Sequence, residues 1–196
     1  MIIDKSRLEP TVYGVGYLGV GEYRARSEKK GMTKEYVMWT NMLSRCYGQP
    51  YRDNPYNSLR YAECTVCDEW HNFQNFAKWC NEQPSFGKPK YSLDKDLTEF
   101  GNTVYCPEKC YIVAPKVNSV IKMMVWKRDT DLPRGVYRKH TGYRIKVNGN
   151  CSYYQDMQIA AQSYKTQMKE QLGIVAEQYR HEIPEIIYQN LLNWAP

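Results

Sequence analysis

The sequence predicts an α+β fold with two modules, and three observations support that prediction. Apolar residues recur at helical spacing over residues 34–47, 68–82 and 157–180. Residues 134–155 instead alternate with a period of two, which is typical of strands. The 196 residues are 42% apolar and 24% charged, as in a globular protein with room for one ordinary domain or two small ones.

The first part of the chain is predicted to be an extended segment followed by two helices. The stretch TVYGVGYLGVGEYRA alternates glycine with apolar or aromatic residues and predicts a twisted hairpin or extended chain. Thr33 is predicted to cap a helix over residues 34–47, because its hydroxyl can accept hydrogen bonds from first-turn amides. Asp68 is predicted to cap a second helix, whose apolar stripe we expect in the core.

The stretch from Tyr91 to Asn118, YSLDKDLTEFGNTVYCPEKCYIVAPKVN, predicts two short strands and a helix. Asp94 lies on the first strand, the second strand lies near Tyr111, and the helix is expected to place Asn118 beside the hairpin. A carboxylate and an amide that meet in this way would suit a single Mg²⁺ ion, which prefers oxygen ligands. Asp96 would share the strand face of Asp94 and could be a further ligand or orient a water.

The last part of the chain predicts a three-stranded antiparallel meander followed by helices. Turn residues at 140–142 and 148–150 separate the three alternating segments. Asp156 is predicted to cap a long helix, and Pro184 breaks it before a last short helix. Because the pattern changes there, the boundary between the two modules is predicted near residue 130.

Positive charge is concentrated in one segment of the chain. The net charge of the whole protein is +6, and residues 122–150 alone contain eight basic and two acidic side chains. Such a segment can bind phosphate backbones, or it can be a solvated surface. Arg138, Arg144 and Lys146 are predicted to project from one sheet face into a DNA groove. The candidate DNA-binding residues are Arg134, Tyr137, Arg138, Lys139, Tyr143, Arg144 and Lys146.

The seven cysteines leave two interpretations open. Cys64 and Cys67 form one closely spaced pair and Cys106 and Cys110 form another, so together they could hold a structural Zn²⁺. The alternative is buried free thiols, which are common for cysteine. A disulfide scaffold is not expected in a reducing compartment.

No membrane association is expected from the sequence. No apolar run approaches the roughly 20 residues that cross a bilayer. The first ten residues, MIIDKSRLEP, lack the apolar region of a secretory signal. The expected location is the cytoplasm.

The segments WTNMLSRCY, VCDEWHNFQNFAKW and LDKDLTEFGNTVYCPEKCYIVAPKVN resemble bacteriophage HNH-type (His-Me finger) endonucleases that often carry a C-terminal AP2-like DNA-binding domain. GVYRKHTGYRIKV with QIAAQSYKTQMKE resembles that AP2-like domain. The resemblance implies a degenerate HNH ββα-metal core over residues 12–125, an AP2-like sheet and helix over 130–182, and a helical tail over 183–196.

The resemblance also implies roles for individual residues. Asp94 and Asn118 match the family's two metal ligands, for Mg²⁺ or Mn²⁺. Lys95 stands where the family has its catalytic histidine, and Lys109 stands where an asparagine supports the hairpin. A lysine of ordinary pKa, about 10.4, is protonated at neutral pH. Lys95 is therefore expected to stabilise developing charge or hold a phosphate, and the candidate catalytic residues are Lys95, Asp96 and Lys109.

Two functions follow from the resemblance. The first is a phage-encoded, metal-dependent endonuclease or nickase, similar to homing enzymes, that cleaves double-stranded DNA. The second is a catalytically inactive HNH fold that binds DNA or a host protein, and Lys95 in place of histidine is its main support. His71 is expected to be packed or at the surface, His140 to contact phosphate or be exposed, and His181 to compensate the dipole of a helix end.

Overall fold

The computed structural model describes residues 5–28, 31–55, 57, 61–99, 101–125 and 131–195. It is a mixed α+β structure, as predicted, with helices and several small sheets. The chain divides into two compact units, Met1–Ala114 and Pro115–Pro196, and each is described by itself.

The first unit combines short helices with three pairs of short strands. Among its described helices are a 3₁₀ turn at Lys5–Leu8, α1 (Lys34–Tyr47), α2 (Gln49–Arg52), α3 (Asp68–His71) and α4 (Phe73–Glu82). Its strands are β1 (Arg26–Ser27), β2 (Gly31–Met32), β3 (Thr65–Val66), β4 (Ser92–Asp94), β5 (Val104–Tyr105) and β6 (Tyr111–Val113). β1–β2 and β4–β6 pair antiparallel, whereas β3 and β5 pair parallel.

One of the two predicted helix caps in this unit is confirmed and the other is wrong. Thr33 accepts a hydrogen bond from the amide of Tyr36 at 3.4 Å and caps α1. Asp68 instead begins the four-residue helix α3, and Asn72 caps α4 by accepting from the amide of Gln74 at 3.0 Å. The helix is interrupted because Asn72 adopts an extended conformation and forms a parallel bridge with Tyr17.

The glycine-rich segment near the N-terminus forms a tight turn, closed by an antiparallel bridge between Val12 and Gly16. A Cβ atom added to Gly16 would lie 2.8 Å from the indole of Trp39. Glycine is therefore required here by close packing, since no larger residue leaves room for that ring.

The core of the first unit is aromatic. Trp39, Trp70, Phe73 and Phe76 are completely buried, and the Trp70 and Phe76 ring centroids lie 5.0 Å apart, edge to face. Trp39 Nε1 donates a hydrogen bond to the Trp70 carbonyl at 2.7 Å. The apolar stripe predicted for the second helix is therefore confirmed as core, because its rings are completely buried. Close packing of these rings stabilises the unit beyond simple burial.

The second unit contains the predicted three-stranded meander and its long helix. Its elements are α5 (Pro115–Val125), β7 (Val136–Lys139), β8 (Gly142–Val147), β9 (Asn150–Tyr154), α6 (Met157–Gln178) and α7 (Glu185–Leu192). The three strands pair antiparallel in the order β7-β8-β9. Asp156 caps α6 as predicted, since its Oδ1 accepts from the amides of Gln158 and Ile159 at 2.8 and 2.9 Å.

The two compact units divide between Ala114 and Pro115, earlier than the predicted boundary near residue 130. One reason lies with Arg134, whose guanidinium donates to the carbonyls of Met123 and Met124 at the end of α5. These bonds satisfy carbonyls that a helix end leaves unpaired, so they tie α5 to the second unit. Residues 126–130, next to the predicted boundary, lie outside the described residues.

The helix α6 is 22 residues long and carries charged side chains, among them Lys165, Lys169 and Glu170. Within the described part of the chain, no helix has the length and apolar character needed to cross a membrane.

Candidate functional site

Most of the predicted site residues lie in two regions, and the first is the strand pair β4–β6 with the segment that joins the two strands. Asp94 ends β4 and lies opposite Tyr111 of β6, so the two predicted strands are confirmed. Asp94 Oδ1 accepts a hydrogen bond from the amide of Asp96 at 2.8 Å. The carboxylate of Asp94 therefore shapes the turn that follows the strand, as aspartate side chains commonly do.

Lys95 is buried, with only 5% of its surface exposed. Its Nζ donates to Asp96 Oδ1 at 2.7 Å and to the carbonyl of Asn102, and lies 5.9 Å from the Tyr105 ring centroid. Burial alone would lower the pKa of Lys95, but the hydrogen bond and charge of Asp96 outweigh burial and raise it. Lys95 is therefore a poor proton acceptor, and its ammonium is occupied inside the fold rather than presented to a phosphate.

Asn102 completes this buried cluster, and sequence reasoning did not select it. Its Nδ2 donates to the carbonyls of Lys95 and Val104 at 3.0 and 2.8 Å, and its Oδ1 accepts from the Val104 amide at 3.1 Å. The side chain is 5% exposed. Asn102 and Lys95 thus bind each other's carbonyls and fix the loop between β4 and β5. The only signal in the sequence is an asparagine after Gly101, which is common in turns.

Lys109, the third predicted catalytic residue, lies near the surface and pairs with Glu99. Its Nζ lies 2.9 Å from Glu99 Oε2, and the side chain is 40% exposed. The hydrogen bond to Glu99 raises the pKa of Lys109. The pair joins two parts of the segment between β4 and β6, and an exposed pair of this kind contributes little to stability.

The predicted metal ligands belong to different units, Asp94 to the first and Asn118 to α5 of the second. Asn118 is buried, with 8% of its surface exposed. Among the described residues no three His, Cys, Asp or Glu side chains form a group that could hold a metal ion. A site built from one carboxylate and one amide is a different arrangement, so that finding does not bear on it. The pairing of Asp94 with Asn118 therefore stays a prediction.

The cysteines proposed for zinc are all described, and they form no such group. Cys64 and Cys110 are buried, and Cys67 and Cys106 are partly buried. Burial raises the pKa of all four thiols. Zinc binds thiolates, which this environment disfavours. The structural Zn²⁺ and the alternative of buried free thiols both stay predictions.

The three histidines have different surroundings within their own units. His71 packs edge to face on Tyr47 and its Nδ1 lies 3.7 Å from Asp68 Oδ1. His140 and His181 are exposed in turns of the second unit. The packing expected for His71 is confirmed, whereas phosphate contact by His140 stays a prediction.

The second candidate region is one face of the sheet in the second unit. Val136, Ile145 and Val147 are buried on the face that packs against α6. On the opposite face, Tyr137, Arg144 and Tyr153 are direct neighbours across the three strands. We call this opposite side the outer sheet face. Its members are Tyr137, Lys139, Arg144, Lys146, Cys151 and Tyr153.

The prediction that Arg138 shares a face with Arg144 and Lys146 is wrong. Arg138 pairs with Tyr143, and its guanidinium lies 5.7 Å from that ring and 3.2 Å from Asp131 Oδ2. The reason is the two-residue turn, which sets Lys139 opposite Gly142. Even-numbered residues of β7 therefore share a face with odd-numbered residues of β8, because side chains alternate along each strand.

The outer sheet face combines cations with aromatic rings. The Arg144 guanidinium lies 5.2 Å from the Tyr137 ring centroid, within range of a cation–π interaction. Its Nε is buried and has no hydrogen-bond partner among the described residues. Tyr153 is 68% exposed, and Lys139 and Lys146 are exposed. No acidic residue belongs to this face within the described strands.

Four of the seven predicted DNA-binding residues thus lie on one face, and three do not. Arg134 binds the end of α5, while Arg138 and Tyr143 lie on the other side of the sheet. Tyr153 also lies on the outer sheet face but is not among the predicted DNA-binding residues. The turn at 148–150 sets the register of β9, and that register places Tyr153 opposite Arg144. No family model, curated protein or solved structure matches this chain. The geometry of the two regions is thus the basis for a functional conclusion.

Proposed function

We propose that the chain is a double-stranded DNA-binding protein that contacts the duplex through the outer sheet face. The observation that carries this proposal is the set of three cations and two tyrosines on one acid-free surface of the described strands. Lysine and arginine side chains that neutralise phosphates release counterions, which is the main source of affinity for DNA.

The size of the sheet supports contact in the major groove. Three strands about 4.8 Å apart span about 10 Å, and the major groove of B-DNA is about 12 Å wide. Strands enter that groove in several known classes of DNA-binding protein. The resemblance to AP2-like domains leads to the same expectation.

Within this interface Arg144 is the proposed central contact. Its guanidinium is held against the Tyr137 ring at 5.2 Å and lies between Tyr137 and Tyr153 in the cross-strand row. A side chain held in place loses less conformational freedom on binding. Arginine also pairs with guanine through two hydrogen bonds, whereas lysine mainly contacts phosphate. Lys139 and Lys146 are therefore assigned to the backbone.

The test compares two variants that remove the same charge. Arg144→Glu/Lys146→Glu reverses the charge of two side chains on the outer sheet face. Lys165→Glu/Lys169→Glu reverses the charge of two exposed side chains on α6. Fluorescence anisotropy with a short duplex should show a loss of about 100-fold for the first pair and about threefold for the second. Equal losses would mean that net charge, and not this face, produces the binding.

A second candidate function is the metal-dependent DNA endonuclease or nickase expected from the resemblance. The specific observation in its favour is the antiparallel pairing of β4 with β6, with Asp94 at the end of β4 and Asn118 in the first turn of the helix that follows β6. These two oxygen ligands would hold Mg²⁺ or Mn²⁺, which would act as a Lewis acid on the phosphodiester. Because Lys95 stays protonated, the activated water would need another proton acceptor.

Nicking of supercoiled plasmid with Mg²⁺ or Mn²⁺ tests this second function. Asp94→Asn should abolish nicking, whereas the control Asp53→Asn, at an exposed position of the same unit, should not. DNA binding that is insensitive to EDTA, together with no nicking by the unaltered protein in either ion, would support the binding function alone.

A further inference from the structure

A cleft of about 380 Å³ lies in the first unit and contains none of the predicted site residues. One wall is α1, the other is the turn-rich segment at residues 86–91, and β4 and β6 contribute Leu93 and Ile112. Its volume is within the range of small-molecule sites, roughly 300–1,000 Å³.

The interior of the cleft is apolar and aromatic. Leu93 and Ile112 are almost completely buried, while Met38, Phe86 and Tyr91 are partly buried and pack against the aromatic core. Aromatic rings and a methionine provide polarisable surfaces, and a flat heteroaromatic ring packs well against such surfaces.

The polar groups of the cleft are cationic. Lys34, Arg45, Lys88 and Lys90 line it, and no aspartate or glutamate is among its described lining residues. Lys34 Nζ donates to the carbonyl of Gly87 at 2.8 Å, which holds the turn segment against α1. Lys88 Nζ lies 5.3 Å from the Tyr91 ring centroid, so a cation stands directly beside an aromatic wall.

We propose that this cleft binds a single nucleotide, with the base in the apolar interior and the phosphate among the lysines. Stacking of a base on aromatic side chains is sequence-tolerant and is a common way of holding one nucleotide. Phosphate is bound by lysine through charge-assisted hydrogen bonds. A free nucleotide and one nucleotide of a single strand share this chemistry, and the proposal is independent of DNA binding by the outer sheet face.

The first experiment titrates the ¹⁵N-labelled full-length protein with adenosine monophosphate and follows its amide signals by NMR. The expected result is fast-exchange shifts confined to the cleft, including the amides of Met38, Gly87 and Tyr91. Adenosine and inorganic phosphate should each bind at least about tenfold more weakly than the nucleotide, because each lacks one half of the interaction.

Variants then locate the site. Lys88→Ala/Lys90→Ala removes two exposed cations and should weaken adenosine monophosphate binding about tenfold. The matched control Lys78→Ala/Lys165→Ala removes the same charge from exposed helix positions and should leave binding unchanged. Val37→Trp places a large ring at a lining position that is 40% exposed, so it should block the nucleotide without disturbing the core.

Several outcomes would overturn the proposal. These are no cleft shifts with millimolar adenosine monophosphate, equal weakening by the two lysine pairs, or tighter binding of a glutamate-rich peptide than of the nucleotide. If the nucleotide does bind, a tetranucleotide with higher affinity than the mononucleotide assigns the cleft to a single strand of nucleic acid. Equal affinities assign it to the free nucleotide.

Discussion

The two compact units use their cationic side chains in different ways. In the first unit Lys95 is buried, and its ammonium binds Asp96 and the carbonyl of Asn102. In the second unit Arg144 lies on the outer sheet face, against Tyr137 and among exposed lysines. One cation therefore holds a loop together, and the other shares its sheet face with lysines and tyrosines and with no acidic residue of the described strands.

This difference shows that residue type alone does not identify a functional cation. A buried charge must be paired and hydrogen-bonded, so its partners limit what else it can bind. A cation beside a ring and away from acids keeps its capacity for a phosphate or a base.

The first unit also contains six of the seven cysteines and most of the buried aromatic residues, which makes its stability sensitive to titration.

The largest expected difference between the units is their response to alkaline pH. Burial raises the pKa of Cys46 to about 12, and it also raises the pKa of Cys64, Cys110 and Tyr105. In the unfolded chain thiols ionise near pH 8.5, so above that pH the unfolded state binds fewer protons and stability falls. Each such group contributes about 1.4 kcal/mol per pH unit between its unfolded and folded pKa values.

Lys95 acts in the same direction. Its folded pKa is raised above the unfolded value near 10.4, so its stabilisation is complete below that pH and is lost as pH rises through the folded pKa. Urea unfolding from pH 8 to 11 can be monitored through the methyl NMR signals of Met42 in the first unit and Met168 in the second. The two unfolding midpoints would then report the stability of each unit in the intact chain. Parallel decreases of both midpoints would contradict the comparison.

The second prediction concerns the buried lysine itself. Lys95→Met leaves Asp96 and the Asn102 carbonyl without their partner, and should lower the free energy of unfolding by about 3 kcal/mol. Lys146→Met, at an exposed position of the sheet, should change it by less than about 0.5 kcal/mol. Urea denaturation measures both, and an unchanged midpoint for Lys95→Met would show that the lysine is not structural.

A third prediction compares two buried indoles of the first unit. Trp39 Nε1 donates to the Trp70 carbonyl, whereas Trp70 Nε1 has no hydrogen-bond partner among the described residues. Both substitutions to phenylalanine remove similar ring volume, but only Trp39→Phe leaves a buried carbonyl unpaired. Trp39→Phe should therefore be less stable than Trp70→Phe by about 1–2 kcal/mol in urea denaturation. The reverse order would argue against this hydrogen bond.

The smallest expected effect separates the two faces of the sheet. Arg144→Ala should weaken DNA binding about tenfold, or about 1.4 kcal/mol, because it removes the proposed central contact. Arg138→Ala should weaken it by about twofold, since Arg138 pairs with Tyr143 on the other face and with Asp131. Anisotropy at several salt concentrations would measure both, and equal effects would mean that the sheet does not bind through its outer face.

Local features of the fold could be predicted from the sequence because neighbouring residues determine them. Thr33 and Asp156 cap helices through amides two or three positions away. The meander follows from its alternation and its two turns. Asp68 was misassigned because Asn72, four residues on, bridges to distant Tyr17, and no local pattern indicates that contact.

The sequence by itself determined the α+β class, the caps, the strands around Asp94 and Tyr111, and the concentration of positive charge in one segment. Only the tertiary structure decided that Lys95 lies inside the fold with Asn102, that Arg138 and Arg144 lie on opposite sides of the sheet, and that Lys34, Lys88 and Lys90 surround an apolar cleft. The physical reason is that capping and alternation act over a few residues, whereas burial, strand register and cavities depend on contacts between segments far apart in the chain.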